Sequence, residues 1–215
     1  MEYASSMPRP QSGGSPGMLT GGPRFSPRLE LRPFRRRDLD SLVDAAADSL
    51  PDLTKWLPWA HAGYGRRDAL VFLRDSVSAW GEGRAFDFTI RYLDNPGFHV
   101  GNVSVWYISR QSRVGEVGYW IRSSETRKNV ATEATARILE VAFHELGLHR
   151  VVLRIAAGNR GSERVAEKLG FTREGLLREE LQINDEWIDH SIWGLLENEF
   201  FARQPEYVEA GWLTA

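Results

Sequence analysis

The sequence predicts an α/β fold built on a mixed sheet. Two observations carry the prediction. Apolar spacing is helical up to about Gly83, switches to period two from Ala85 to Ile121, and returns to helical spacing after Ala131. Strands also precede and follow single helices around a central meander, giving the order β-α-α-β-β-β-α-β-α-β-β, which suits a sheet covered by helices.

Each element has a local reason. In "RLELRPF", Leu29 and Leu31 alternate with charges, as in a strand. "RRRDLDSLVDAAADS" follows with Asp38 as its N-cap and Leu39, Leu42, Val43 and Ala46 at helical spacing. The prolines and glycines of "LPDLTKWLPWAHAGYG" break a helix there and leave an aromatic loop. "RRDALVFLRDSVSAWGEG" is a second amphipathic helix, ended by Gly81 or Gly83. "AFDFTIRYLDNPG", "FHVGNVSVWYIS" and "RVGEVGYWIR" form the meander. A long helix over 131–146 carries apolar residues on more than one stripe, so it packs deep against the sheet, with Gly147 as its C-cap. "HRVVLRIAAG" is a β-branched strand, "NRGSERVAEKLG" a short helix, and "FTREGLLREELQI" and "WIDHSIWGLLENEF" close a hairpin across "NDE".

Three regions follow. Residues 1–27, rich in Gly, Pro and Ser, form a disordered or loosely docked arm. Residues 28–200 form the folded domain, and 201–215 a tail whose Tyr207 and Trp212 could dock on a partner, including a second copy in a homodimer.

Composition excludes several functions. The chain has 215 residues, 42% of them hydrophobic, and a formal charge of −2, so it lacks the basic footprint of a nucleic-acid binder. It has no cysteine, which excludes disulfides and thiolate chemistry and points to a reducing cytoplasm. No apolar run approaches the ~20 residues that span a bilayer. The five histidines show no metal-ligand spacing, so no metal is expected.

The chemistry concentrates in the strand–turn–helix from Arg113 to Leu146. A helix start presents unpaired N–H groups and partial positive charge, and so attracts phosphate. Further on, Asn159 reads as an N-cap with Ser162 on the following turn. Glu116 shares a strand face with Gly118 and Trp120, while Val117, Tyr119 and Ile121 take the other. A carboxylate in so apolar a strand has a raised pKa and can take a proton from an ammonium. The other reading of Glu116 is a salt-bridged glutamate at a sheet edge.

The stretch "GEVGYWIRSSETRKNVATEATARILEVAFHELGLHRVVLRIAAGNRGSERVAEKLGFTREGLLRE" resembles the GCN5-related N-acetyltransferase (GNAT) superfamily. The likeness is to its ribosomal-protein alanine N-acetyltransferase (RimJ/RimL-like) branch and extends over 28–199. It implies a mixed, mostly antiparallel sheet whose two central parallel strands, "VGYWI" and "VVLRIAA", splay apart around acetyl-CoA. It implies cofactor contacts along Tyr119 and Ile121, at the turn residues Arg127, Lys128, Asn129, Val130, Ala131 and Thr132, and at Asn159. Ser162 would assist thiolate departure and Glu116 would be the base. Trp56, Trp59 and Tyr64 would wall an acceptor pocket for a primary amine of a small molecule or a protein N-terminus. This turn departs from the family pattern: Thr126 stands at the first position, where a long polar side chain is usual, and Asn129 replaces the central glycine. Three readings follow: acetyl transfer with an altered phosphate turn, a fold relative that binds or tailors a metabolite without acetyl-CoA, and use of a longer donor such as succinyl-CoA.

Overall fold

In the computed structural model, which describes residues 19–214, the predicted strands join one sheet. Its members are β1 (Arg24–Phe25), β2 (Leu29–Pro33), β3 (Ala85–Tyr92), β4 (His99–Ser109), β5 (Val114–Ile121), β6 (Arg150–Ala156), β7 (Thr172–Ile183) and β8 (Glu186–Leu196). They lie in the order β1-β2-β3-β4-β5-β6-β8-β7, antiparallel throughout except for the parallel pair β5–β6. Among the described residues, five α-helices flank the sheet: α1 (Leu39–Leu53), α2 (Arg66–Gly81), α3 (Val130–Glu140), α4 (Arg160–Lys168) and α5 (Glu197–Glu209). No helix among the described residues is long and apolar enough to cross a membrane.

The β5–β6 pair decides the rest. Its ladder holds only over Val114↔Arg150, Gly115↔Val151 and Glu116↔Val152. Beyond Glu116 the strands part, although β5 stays paired with β4 as far as Ile121. Glu116 therefore stands at the vertex of a fork. The larger apolar core lies on the α3 side and takes Val117 and Ile121 from β5, while a second cluster under α1 and α2 takes Trp120. The alternation of β5 thus divides it between two cores, as period two requires.

Several local expectations are revised. Residues 1–18 of the predicted arm lie outside the described residues, but 19–27 are seated on the domain. Leu19 is buried, β1 pairs with β2, and Arg24 reaches Glu145 with Nε–Oε1 at 2.8 Å. Asp38 occupies the N-cap position of α1 without capping it, because its carboxylate is consumed in a bidentate pair with Arg32 at 2.7 and 2.8 Å. Pro51 lies inside α1 instead of stopping it. The predicted 131–146 helix is α-helical to Glu140 and closes in a π-turn over Val141–Glu145, with Gly147 at φ +61°.

The expected C-terminal tail is largely helix α5. Tyr207 is buried against the chain's own core, its hydroxyl donates to Leu169 O, and Trp212 packs on its ring at 5.9 Å. Tyr207 is therefore occupied internally, while Trp212 packs on it and stays partly exposed. The sequence pattern missed this because Pro205 sits within the helix, where a proline ordinarily argues against one.

Two buried arginines tie α1 to the sheet near the fork. Arg122 donates to Asp44 at 2.6 Å, to Asp48 at 2.9 Å and to His99 O at 3.1 Å. Arg91, fully buried, bonds to Ser41 at 2.8 Å and Asp38 at 3.2 Å, and lies 3.3 Å from His99 Nδ1. Asp38 and Arg91 are both buried, so removing Asp38 would leave a buried charge poorly paired, which makes this link a strong tie between α1 and the sheet.

Candidate active site

The fork opens into a cavity of about 900 Å³. One end is bordered by the turn before α3 and by α4, the other by the loop after α1 and the floor of β4 and β5. Of the residues singled out in the sequence, Trp56, Trp59, Glu116, Tyr119, Ile121, Arg127, Asn129, Val130, Ala131, Thr132, Asn159 and Ser162 line it. Two do not. Lys128 pairs with Glu125 at 2.9 Å and does not itself border the cavity. Tyr64 is buried behind Trp59, with ring centroids 5.2 Å apart.

The phosphate-turn end is built from unusual backbone. Arg127 and Asn129 both have positive φ, +62° and +63°. Asparagine tolerates the left-handed region better than most residues, so the turn forms without glycine. The Asn129 side chain does not cap α3. Its Oδ1 instead accepts a hydrogen bond from Lys168 Nζ at 2.7 Å, across the cleft from α4. The first α-helical bond runs from Glu133 N–H to Asn129 O at 3.0 Å. The N–H groups of Val130, Ala131 and Thr132 precede it, so the helix itself does not use them.

Glu133, in the first turn, is fully buried and locks this helix end to the chain entry. Its carboxylate accepts from Ser26 Oγ (2.7 Å), Arg28 Nε (2.7 Å) and Arg28 N–H (3.0 Å), while Arg28 also reaches Lys128 O at 3.1 Å. Ser26 of the predicted arm and Arg28 at the start of the predicted domain thus hold the turn in place.

Helix α4 adds what the sequence reading missed. Arg160, Arg164 and Lys168 all line the cavity, and their i, i+4, i+8 spacing sets three cations on one helix face toward the turn. That spacing was the available signal in the sequence. Asn159 caps α4, its Oδ1 accepting from Ser162 N–H at 3.2 Å, and the Tyr119 hydroxyl spans the fork to Ser162 O at 3.4 Å. With its orphan amides and three added cations, this end can hold a multiply charged phosphate group.

The opposite end is aromatic. Trp106 crowds Gly118, where an added Cβ would meet its ring at 3.0 Å. Trp59 packs against Trp120 at 5.9 Å, and Trp120 stacks on His99 with planes 12° apart. The tip of the β7–β8 hairpin closes this end, Asn184 Nδ2 donating to Thr54 O at 2.8 Å.

Between the two ends sits Glu116, 4% exposed. Burial pushes its carboxyl up to about 7, against the opposing pull of Arg154. Arg154 Nε is 3.6 Å from Glu116 Oε2, and its other end pairs with Glu180 Oε1 at 2.8 Å. Glu116 thus combines the raised carboxyl of the first reading with the cationic neighbour of the second, but β5 lies between β4 and β6, so it is not a glutamate at a sheet edge. A group that titrates near neutrality in a cleft is suited to general-base work. The sequence could not pair Glu116 with Arg154, since only the parallel β5–β6 register brings them together.

The comparisons agree with this geometry. The acetyltransferase (GNAT) domain model matches residues 28–172. The chain belongs to the GNAT acetyltransferase family. YjcK of Bacillus subtilis, named as an N-acetyltransferase, is 38% identical over 98 residues, which span 45% of this chain and 54% of YjcK. YdaF of the same organism carries the name of a ribosomal N-acetyltransferase and is 26% identical over 186 residues, 82% of this chain and 96% of YdaF. Among solved structures, Mycobacterium smegmatis RimJ in complex with CoA-disulfide superposes with a TM-score of 0.78 at 26% identity, covering 88% of this chain and 92% of that one. The GNAT acetyltransferase assignment and the splayed parallel pair, both implied by the sequence resemblance, thus hold for this chain.

Proposed function

We propose that the chain transfers an acetyl group from acetyl-CoA to a primary amine by direct attack. The observation that carries this reading is the continuity of the cavity. A cationic phosphate end, a buried carboxyl at the strand fork and an aromatic acceptor end follow one another in a single cleft. The coenzyme's pyrophosphate would lie against the Val130–Thr132 amides and the α4 cations. This reading has support from the CoA bound in the RimJ structure named above.

In this reading, Glu116 takes the proton from the acceptor ammonium, directly or through a water. The freed amine attacks the thioester carbonyl, whose oxygen is polarised by β5 backbone N–H groups near Tyr119. As the tetrahedral intermediate collapses, the C–S bond breaks, Ser162 donates its proton to the departing thiolate, and the excess proton on the attacking nitrogen passes back to Ser162. The acceptor is a primary amine on a small molecule or a protein N-terminus whose apolar body rests against Trp56, Trp59, Trp106 and Trp120. Aromatic walls favour such a body, and also attract its ammonium group.

The test is thiol release from acetyl-CoA by purified protein, with phenethylamine and a peptide bearing a free N-terminal alanine or serine as acceptors. Calorimetry with CoA runs alongside. Acceptor-dependent release together with micromolar CoA binding supports the reading. No binding at millimolar CoA and no release with any acceptor would sink it.

A further inference from the structure

Four ionisable side chains from four strands meet behind the fork: Glu116 from β5, Arg154 from β6, Glu180 from β7 and His190 from β8. Arg154 is the hub. Its guanidinium pairs with Glu180 at 2.8 Å but stays 3.6 Å from Glu116. Arg154 Nε and Glu180 Oε2 are both buried without a hydrogen-bond partner. His190 Nδ1 faces Glu180 Oε2 at 3.9 Å and bonds to Ile188 O at 3.2 Å, and burial holds its pKa down, so it is neutral near pH 7. On β4 the residue opposite Glu116 is Trp106, and on β6 it is Val152, neither of which titrates. Across the cavity, Asp52 is engaged by Ser123 at 2.8 Å and Lys55 at 3.1 Å. The charge felt by Glu116 is therefore set by Arg154 and Glu180.

An arginine left to itself beside a carboxylate closes to a short, charge-assisted bond and removes most of its basicity. Here Glu180 takes the arginine's better contact. Glu180 does not border the cavity, whereas Glu116, Arg154 and His190 do.

We propose that the Arg154–Glu180 ion pair is a positioning device for Glu116: Glu180 holds the guanidinium back from hydrogen-bonding distance, and Glu116 keeps a carboxylate basic enough to accept the acceptor's proton. The proposal rests on the reading of Glu116 as the base. Two variants separate it from a structural role, because they act in opposite directions. Glu180→Gln removes a repelling charge and frees Arg154 to close on Glu116, so the Glu116 titration moves to lower pH. Arg154→Met removes the attracting charge, so it moves to higher pH. Each shift is about 1 pH unit. Arg154→Lys retains the charge and falls close to wild type.

The experiment is a carboxyl-carbon NMR titration of Glu116 in the full chain, assigned with Glu116→Gln, alongside pH profiles of kcat/KM for acetyl-CoA and phenethylamine. Opposite NMR shifts, mirrored in the acid limb of the profiles with the acceptor KM unchanged for Glu180→Gln, support the proposal. Shifts in the same direction, or none, overturn it. A rise in acceptor KM in Arg154→Met with the titration unmoved also overturns it, since Arg154 then binds the acceptor. If no variant or wild type turns over but the NMR shifts are opposite, the charge device stands and the acetyl-transfer reading fails.

Discussion

Lys168 Nζ donates to Asn129 Oδ1 at 2.7 Å, joining the last turn of α4 to the left-handed residue that starts α3. The contact draws the Asn129 side chain toward α4, which answers how a turn without its central glycine leaves the following amides approachable.

Substitution at Asn129 should therefore depend on backbone tolerance more than on side-chain size. Asn129→Gly keeps the φ of +63° without strain and is expected to change stability by under about 1 kcal/mol and CoA affinity by less than about threefold. Asn129→Val forces a β-branched residue into left-handed backbone, at a cost of about 1–2 kcal/mol or more, and CoA binding should fall at least about tenfold. Calorimetric titration with CoA and thermal melts measure both. Equal binding by the glycine and valine variants would show that the turn does not hold the coenzyme.

The cationic face of α4 gives a second prediction. Arg164→Glu reverses one charge on an exposed helix face and should weaken CoA binding about tenfold at low ionic strength, with the deficit shrinking as salt rises. Because Arg164 is exposed, the melting temperature should scarcely move. An affinity deficit that does not vary with salt would remove the electrostatic role.

At Glu116, the Gln variant should lose about 10²–10⁴ in turnover while CoA affinity is preserved. The ionised carboxylate is the working form, and burial has pushed its pKa up to about 7, so wild-type kcat/KM should climb with pH and level off above about 7. The same shift has a stability counterpart. A carboxyl raised in the folded state favours folding below its unfolded value of 4.5, and that contribution is lost as pH rises through about 7. Glu116→Gln should thus gain stability relative to wild type as pH increases over that window, read by denaturant unfolding at each pH.

His99 makes the opposite prediction. Burial first, then the neighbouring Arg91, hold its pKa down to about 3. Its contribution to stability is present above the ordinary value of 6.5 and disappears as pH falls toward 3. Wild type should lose on the order of 5 kcal/mol across that span from this residue, and His99→Gln should show a flatter acid limb in chemical unfolding. An unchanged acid limb in the variant would place the acid sensitivity elsewhere.

Much of the site was legible before any coordinates. Period two put Glu116 and Trp120 on one face of β5 and Val117 and Ile121 on the other, because strand alternation is a backbone property that needs no partner. The Asn159 cap, a helix start expected one residue after the observed Val130 and the tolerance of Asn129 for left-handed backbone are local in the same way. Lys128 and Tyr64 were misplaced because side-chain direction in a turn or an irregular loop has no period to read. Lys128 found Glu125, and Tyr64 found the back of Trp59.

By itself, the sequence determined the order of elements from β2 to β8, the split of β5 between two faces, the tolerance of the turn before α3 for left-handed backbone and the family resemblance. These follow from backbone periodicity and capping, which operate over a few residues. Tertiary structure alone decided which charges neighbour Glu116, how Lys168 reaches Asn129 across 39 positions, and that Tyr207 and Trp212 close the chain's own core. Each depends on strand order and register, and a one-residue slip of β6 against β5 would have turned Arg154 to the opposite face of the sheet.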